Sequence, residues 1–153
     1  MTRIEELEQK VKELQSEIES LKFPNRENRY FYITTMGSIS SDILTNYHNT
    51  SADNRRLSIG NCFRTEEEAR FQVERLKVIA ELKKFAEPDD RPWDGVKHYA
   101  IGYDRRDEQM VIEPYFYTDI GTLYFESQQK AGEAIETIGV KRLKKYYFGV
   151  KED

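Results

Sequence analysis

The chain has 153 residues, with 24 Lys and Arg against 28 Asp and Glu, and its formal net charge of -4 gives no general electrostatic reason to bind nucleic acid. A single cysteine, Cys62, excludes an intramolecular disulfide and fits a reducing cytoplasm. The N-terminus is too charged for a signal peptide and no apolar run is long enough to span a bilayer, so one compact domain with an appendage, away from membranes, is expected.

Thr2 is an N-cap whose capping box Glu5 completes. Behind it Ile4, Leu7, Val11, Leu14, Ile18 and Leu21 alternate steps of three and four. This is a heptad seam with β-branched residues at each a position and Leu at each d, the combination that favours parallel dimers. In such a pair Arg3 faces Glu8 of the second copy, Glu17 faces Lys22 and Lys10 faces Gln15. The stripe is narrow, which suits a two-stranded seam. The alternative is a helix folded back on its own domain. Residues 1–23 therefore read as a coiled-coil oligomerisation helix, 24–29 as a linker, and 30–153 as the globular body.

Tyr30 to Thr35 and Ile39 to Ile43 are β-rich and flank Gly37-Ser38, so a hairpin is expected. A polar stretch from Thr45 to Arg56 follows. It is long for a compact domain, so it is either mobile or a binding loop, and it carries the candidate binding residues Tyr47, His48, Arg55 and Arg56. Leu57 to Phe63 is expected as a third strand that feeds a long helix. Thr65 caps that helix, Glu68 closes its box, and Glu66 and Glu67 suit its positive end. Ala69, Val73, Leu76, Ala80, Val78, Leu82 and Phe85 form its apolar face, and Pro88 stops it.

Glu87 to Gly95 is a loop joining two halves, with Asp89, Asp90, Asp94 and Trp93. Strands are expected at Val96 to Tyr103, Gln109 to Thr118 and Thr122 to Phe125, with a hairpin turn at Asp104 to Asp107. Pro114 implies an edge or a bulge. A second helix is capped by Ser127, buries Ala131, Ile135 and Ile138, and ends at Gly139 as a left-handed C-cap. Val140 to Phe148 is a short basic, aromatic helix ending at Gly149.

Phe125, Ser127 and Ala131 repeat the spacing of Phe63, Thr65 and Ala69, which suggests an internal duplication. The alternative is that this pattern is a common strand-to-helix transition. The expected fold is α+β: a mostly antiparallel sheet with two helices on one face, preceded by the coiled coil.

No catalytic, cofactor or metal residues are assigned. The two histidines, His48 and His98, have no G-x-S-x-G beside them, and Cys62 reads as a small core residue rather than half of a thiol pair. C-x-x-C, H-E-x-x-H and the glycine-rich phosphate loops are absent, and the loop aspartates lack EF-hand spacing. Lys141, Arg142, Lys144 and Lys145 beside Tyr146 and Tyr147 could neutralise phosphates and stack on bases. The alternative is a terminal helix with its lysines in water. Trp93 is either an interface anchor or a pin holding its loop to the core.

Together the stretches IGNCFRTEEEARFQVERLKVIAELKKFA, YFYITT, EPYFYT and LYFES…AIETIGVKRLKKYYFGV resemble small proteins encoded by phages and prophages of Gram-positive bacteria. The resemblance covers most of Tyr30 to Val150 and carries no functional residue. It implies an accessory protein made inside the host cell, a class that includes inhibitors and counter-defence proteins such as anti-CRISPRs. The expectation is a non-enzymatic homodimeric module that binds an unknown protein target. Two alternatives are nucleic-acid binding through the basic C-terminal helix and a small-ligand or nucleotide sponge.

Overall fold

Capping chemistry places the helices. In the computed structural model, which describes residues 1–24, 29–44, 52–93 and 95–152, Thr2 Oγ1 accepts from the Glu5 amide (3.3 Å) and Glu5 Oε2 accepts from the Thr2 amide (2.6 Å). This box starts α1, Arg3–Leu21. Strands β1, Arg29–Ile33, and β2, Ile39–Ile43, pair antiparallel in a register running from Arg29 opposite Ile43 to Ile33 opposite Ile39. The turn between them needs the positive φ of Gly37, 77°.

The fold is α+β. The chain divides into two compact units, Met1–Arg70 and Phe71–Asp153. Among the described residues the strands form two two-stranded antiparallel sheets instead of the expected single sheet.

In the first unit the expected third strand at Leu57 to Phe63 does not form. Helix α2, Ala52–Ser58, occupies its start, with Asp53 in the first turn and Arg55 and Arg56 in the last, each matching the helix dipole. Only Phe63 pairs: its amide and carbonyl exchange hydrogen bonds with those of Phe31, both 2.9 Å. Asn61 is the reason. Its side-chain amide accepts from the Ile33 amide and donates to the Ile33 carbonyl, both 2.8 Å, taking the place that a strand backbone would fill.

Helix α3, Glu66–Lys83, begins in the first unit and continues into the second. Thr65 Oγ1 accepts from the Glu68 amide (3.1 Å), while Glu68 Oε2 accepts from the amide of Arg64 rather than of Thr65 (3.0 Å). Ala69, Val78 and Leu82 are buried, but Leu76 and Ala80 are exposed. Leu76 and Ala80 each stand two residues from Val78, about 200° round the helix, so one face cannot hold all three. The broad face read from the sequence is narrower in the structure.

In the second unit β3, His98–Asp104, pairs with β4, Gln109–Tyr115, placing Ile101 opposite Ile112. Asp104 Oδ1 accepts from the Arg106 amide (2.9 Å), which forms the turn. β4 ends at Tyr115 instead of Thr118. The expected strand at Thr122 to Phe125 is a single bridge, Phe125 with Tyr99. Helix α4, Gln128–Ile138, starts where Ser127 Oγ accepts from the Lys130 amide (3.1 Å). Gly139 has φ 96° with ψ 139°, so it takes a positive-φ extended conformation rather than the expected left-handed helical one. Helix α5, Val140–Arg142, runs into a π-helical turn, Leu143–Tyr147, closed by the Phe148 amide on the Leu143 carbonyl (3.0 Å). Val78, Leu82, Ile101, Phe125, Ile138 and Leu143 meet in the core of this unit.

The same local order therefore occurs twice. A hairpin is joined at one strand by a single bridging Phe. The helix cap lies two residues on, and a fully buried Ala lies six residues on, at Ala69 and at Ala131. Among the described residues no helix is long and apolar enough to cross a membrane.

Candidate functional site

The heptad residues of α1 are bare. Ile4, Leu7, Val11, Leu14, Ile18 and Leu21 range from 51% exposed at Leu14 to 71% at Leu21, and nothing on this helix is buried. Ile4, Leu7, Glu8, Val11, Lys12 and Gln15 line a shallow groove along it. Apolar surface left in water is unfavourable by about 25 cal/mol per Å². The flanking residues are of mixed charge. Within the helix, Lys22 pairs with Glu19 (3.3 Å) and Gln9 bonds Glu13 (3.0 Å). Both contacts lie at the surface and are worth little.

Each hairpin carries a buried polar residue one position before its bridging residue. In the first unit this is Tyr30, fully buried. Its hydroxyl donates to Asp53 Oδ1, and Arg56 donates to the hydroxyl oxygen (2.9 Å). Arg56 also reaches Asp42 (3.2 Å), and its guanidinium lies over the Tyr32 ring, 3.5 Å from the centroid. Burial and the bond to Asp53 push the Tyr30 hydroxyl up from 10.0 to about 12, with Arg56 opposing. Burial also raises the nearby Cys62 thiol, away from the reactive thiolate.

In the second unit the corresponding residue is His98, also fully buried. Its Nδ1 bonds Glu87 Oε1, and Arg91 donates to Glu87 Oε2. A carboxylate opposite Nδ1 makes that nitrogen the donor and fixes the tautomer. Nε2 is buried with no hydrogen-bond partner among the described residues. Trp93 stacks flat on the imidazole, 3.5 Å between centroids and 6° between planes, and meets Tyr124 edge-on at 5.0 Å. Trp93 therefore holds its loop down on β3. Among the described residues no group of three or more His, Cys, Asp or Glu could hold a metal ion.

The basic C-terminal residues are divided in use. Arg142 makes a two-pronged pair with Glu81 (2.8 and 2.9 Å), which lowers the Glu81 carboxyl and raises the Arg142 guanidinium. Lys144 lies over the Tyr103 ring, 5.7 Å from its centroid, and Lys145 lies 5.3 Å from that of Tyr146. Arg75 and Arg105 donate to the carbonyls of Tyr146 (2.7 Å) and Phe148 (3.2 Å), where the π-helical turn leaves acceptors open. Burial raises the Tyr147 hydroxyl. Lys141 and Lys145 are exposed.

The sequence-predicted residues do not converge on one site. Tyr47 and His48 lie outside the described residues, as does Asp94. Arg55 and Arg56 sit on α2 rather than in a loop, and Arg56 faces Tyr30. The two buried carboxylate clusters went unread. Their signal is positional: a Tyr or His immediately ahead of a bridging aromatic, at Tyr30-Phe31 and His98-Tyr99. Comparison with protein-family models, curated proteins and solved structures returned no match.

Proposed function

We propose that this chain is a homodimeric interaction module that acts by holding a macromolecular partner. It pairs through α1 as a parallel coiled coil. In this reading it is a phage-type accessory protein working in the cytoplasm of the host cell, where inhibition or counter-defence is its task. The observation that carries the reading is the complete and uncovered seam from Ile4 to Leu21. A helix whose stripe serves its own domain is covered by that domain, and this one is not. The g and e positions support the parallel direction, with Arg3 opposite Glu8 and Glu17 opposite Lys22. Two bodies tied together bind a repeated target through effective concentration, without any further contact.

The nucleic-acid alternative draws on Lys141, Arg142, Lys144 and Lys145, but Arg142 is engaged by Glu81. The buried polar clusters, with their side chains bonded to one another, support structural roles. Tagged full-length protein captured from a Gram-positive lysate, with and without nuclease, tests the reading. A stoichiometric protein kept after nuclease supports it. Partners that vanish with nuclease contradict it in favour of nucleic acid.

A further inference from the structure

Exposed carboxylates flank the end of β4 along the chain, Glu113 before it and Asp119 after it, while the exposed Lys97 precedes His98, the residue paired with Tyr115. After Tyr115 β4 gives way to a loop, residues 116–122, that presents Phe116 at 73% exposure and Ile120 fully exposed. These two side chains contribute nothing to the core. The loop is held from beneath by Tyr124, which is buried. The Tyr124 hydroxyl accepts from the Asp119 amide (2.6 Å) and donates to the Tyr117 carbonyl (3.4 Å). The Tyr115 ring packs against Tyr117 and Tyr124, at 5.5 and 5.8 Å between centroids. Gly121, at φ 77°, completes the turn. The local field is negative: the Tyr115 hydroxyl is raised by burial first, then by Tyr117, Asp119 and Glu113.

We infer that Phe116 and Ile120 form a docking knob for a protein partner that offers an apolar pocket rimmed by Lys and Arg. The inference rests on the interaction-module reading and gives it a contact surface. Large apolar side chains held in water on an ordered loop are the pattern of interface anchors. The two Tyr124 hydrogen bonds fix the loop beforehand, so less ordering entropy is lost on docking. The carboxylates choose the partner's sign. They repel phosphate backbones and anionic lipid, repel the same knob on a second copy, and steer a cationic rim towards the site.

A random displayed-peptide library selected on the full-length protein tests this, because no partner need be known. The expected peptides carry apolar residues flanked by Lys or Arg. Their affinity falls about tenfold or more on Phe116→Ser with Ile120→Ser, a loss of the size seen at interface anchors. It also falls, and loses its salt dependence, on Glu113→Lys with Asp119→Lys. Affinity per chain stays unchanged in full-length Leu14→Pro, which separates failure of the knob from failure of the coiled coil. Thermal melting of the serine variant stays at the wild-type value, because both side chains lie in solvent. Acidic peptides, no enrichment, or equal binding by the serine variant would overturn the inference. So would a lower solution mass of that variant, or its loss of binding to single-stranded DNA or anionic vesicles, since each assigns the knob another occupant.

Discussion

Tyr30 holds a proton that its surroundings will not release, and that has a consequence at high pH. Its hydroxyl titrates at about 12 in the folded chain against 10.0 ordinarily, so the folded state keeps a proton that the unfolded state loses. The associated stability is complete below pH 10 and disappears as pH rises through about 12. The stability difference between wild type and Tyr30→Phe should shrink by about 2–3 kcal/mol across that window, measured by urea titration at several pH values. A constant difference would refute the assignment. At His98, Glu87→Ala removes the acceptor for both the imidazole and Arg91. A loss of roughly 1–3 kcal/mol is expected, because the buried imidazole N–H is left without an acceptor. The same change should free Trp93 from its stack and alter the fluorescence of the single tryptophan. An unaltered spectrum with full stability would contradict the pinning role.

At the scale of elements, the caps and the bridges do comparable work in both halves. Thr65→Ala and Ser127→Ala should each cost about 1 kcal/mol, read by thermal or chemical denaturation. A loss at one cap only would show that the other helix is fixed by packing alone. Leu143→Ala, in the core of the second unit, should cost about 2–5 kcal/mol. These elements were legible because their signals are local. Thr2 with Glu5, the Thr65 and Ser127 caps and the strand Ile39–Ile43 need only neighbouring residues to be read. The third strand was misread because the Asn61 side chain, not a backbone, satisfies Ile33. No residue pattern announces that substitution. The π-helical turn was read as an ordinary helix, because its wider winding depends on where Leu143 and Tyr147 must pack. Leu76 was placed inside because it is apolar, although its angle round α3 opposes that of Val78.

For the whole molecule, the helix proposed to self-associate precedes two hairpin-and-helix arrangements. The helix Arg3–Leu21 and its apolar stripe were legible, since a heptad spacing is a sequence property. The buried clusters were not, since Asp53 and Tyr30 are 23 residues apart and only the fold brings them together. The loop surface around Phe116 was visible only as a run of aromatic residues until the exposures of its members were known. If nucleic acid were the partner, binding would fall steeply with salt, and Lys144→Glu with Lys145→Glu would weaken it. The account expects no such binding in a salt-series shift assay. The most direct test of its central claim is the solution mass of the full chain by sedimentation equilibrium, beside that of Leu14→Pro. The account predicts twice the chain mass for wild type and a single chain mass for the variant. A wild-type monomer, or a dimer that survives Leu14→Pro, would contradict it.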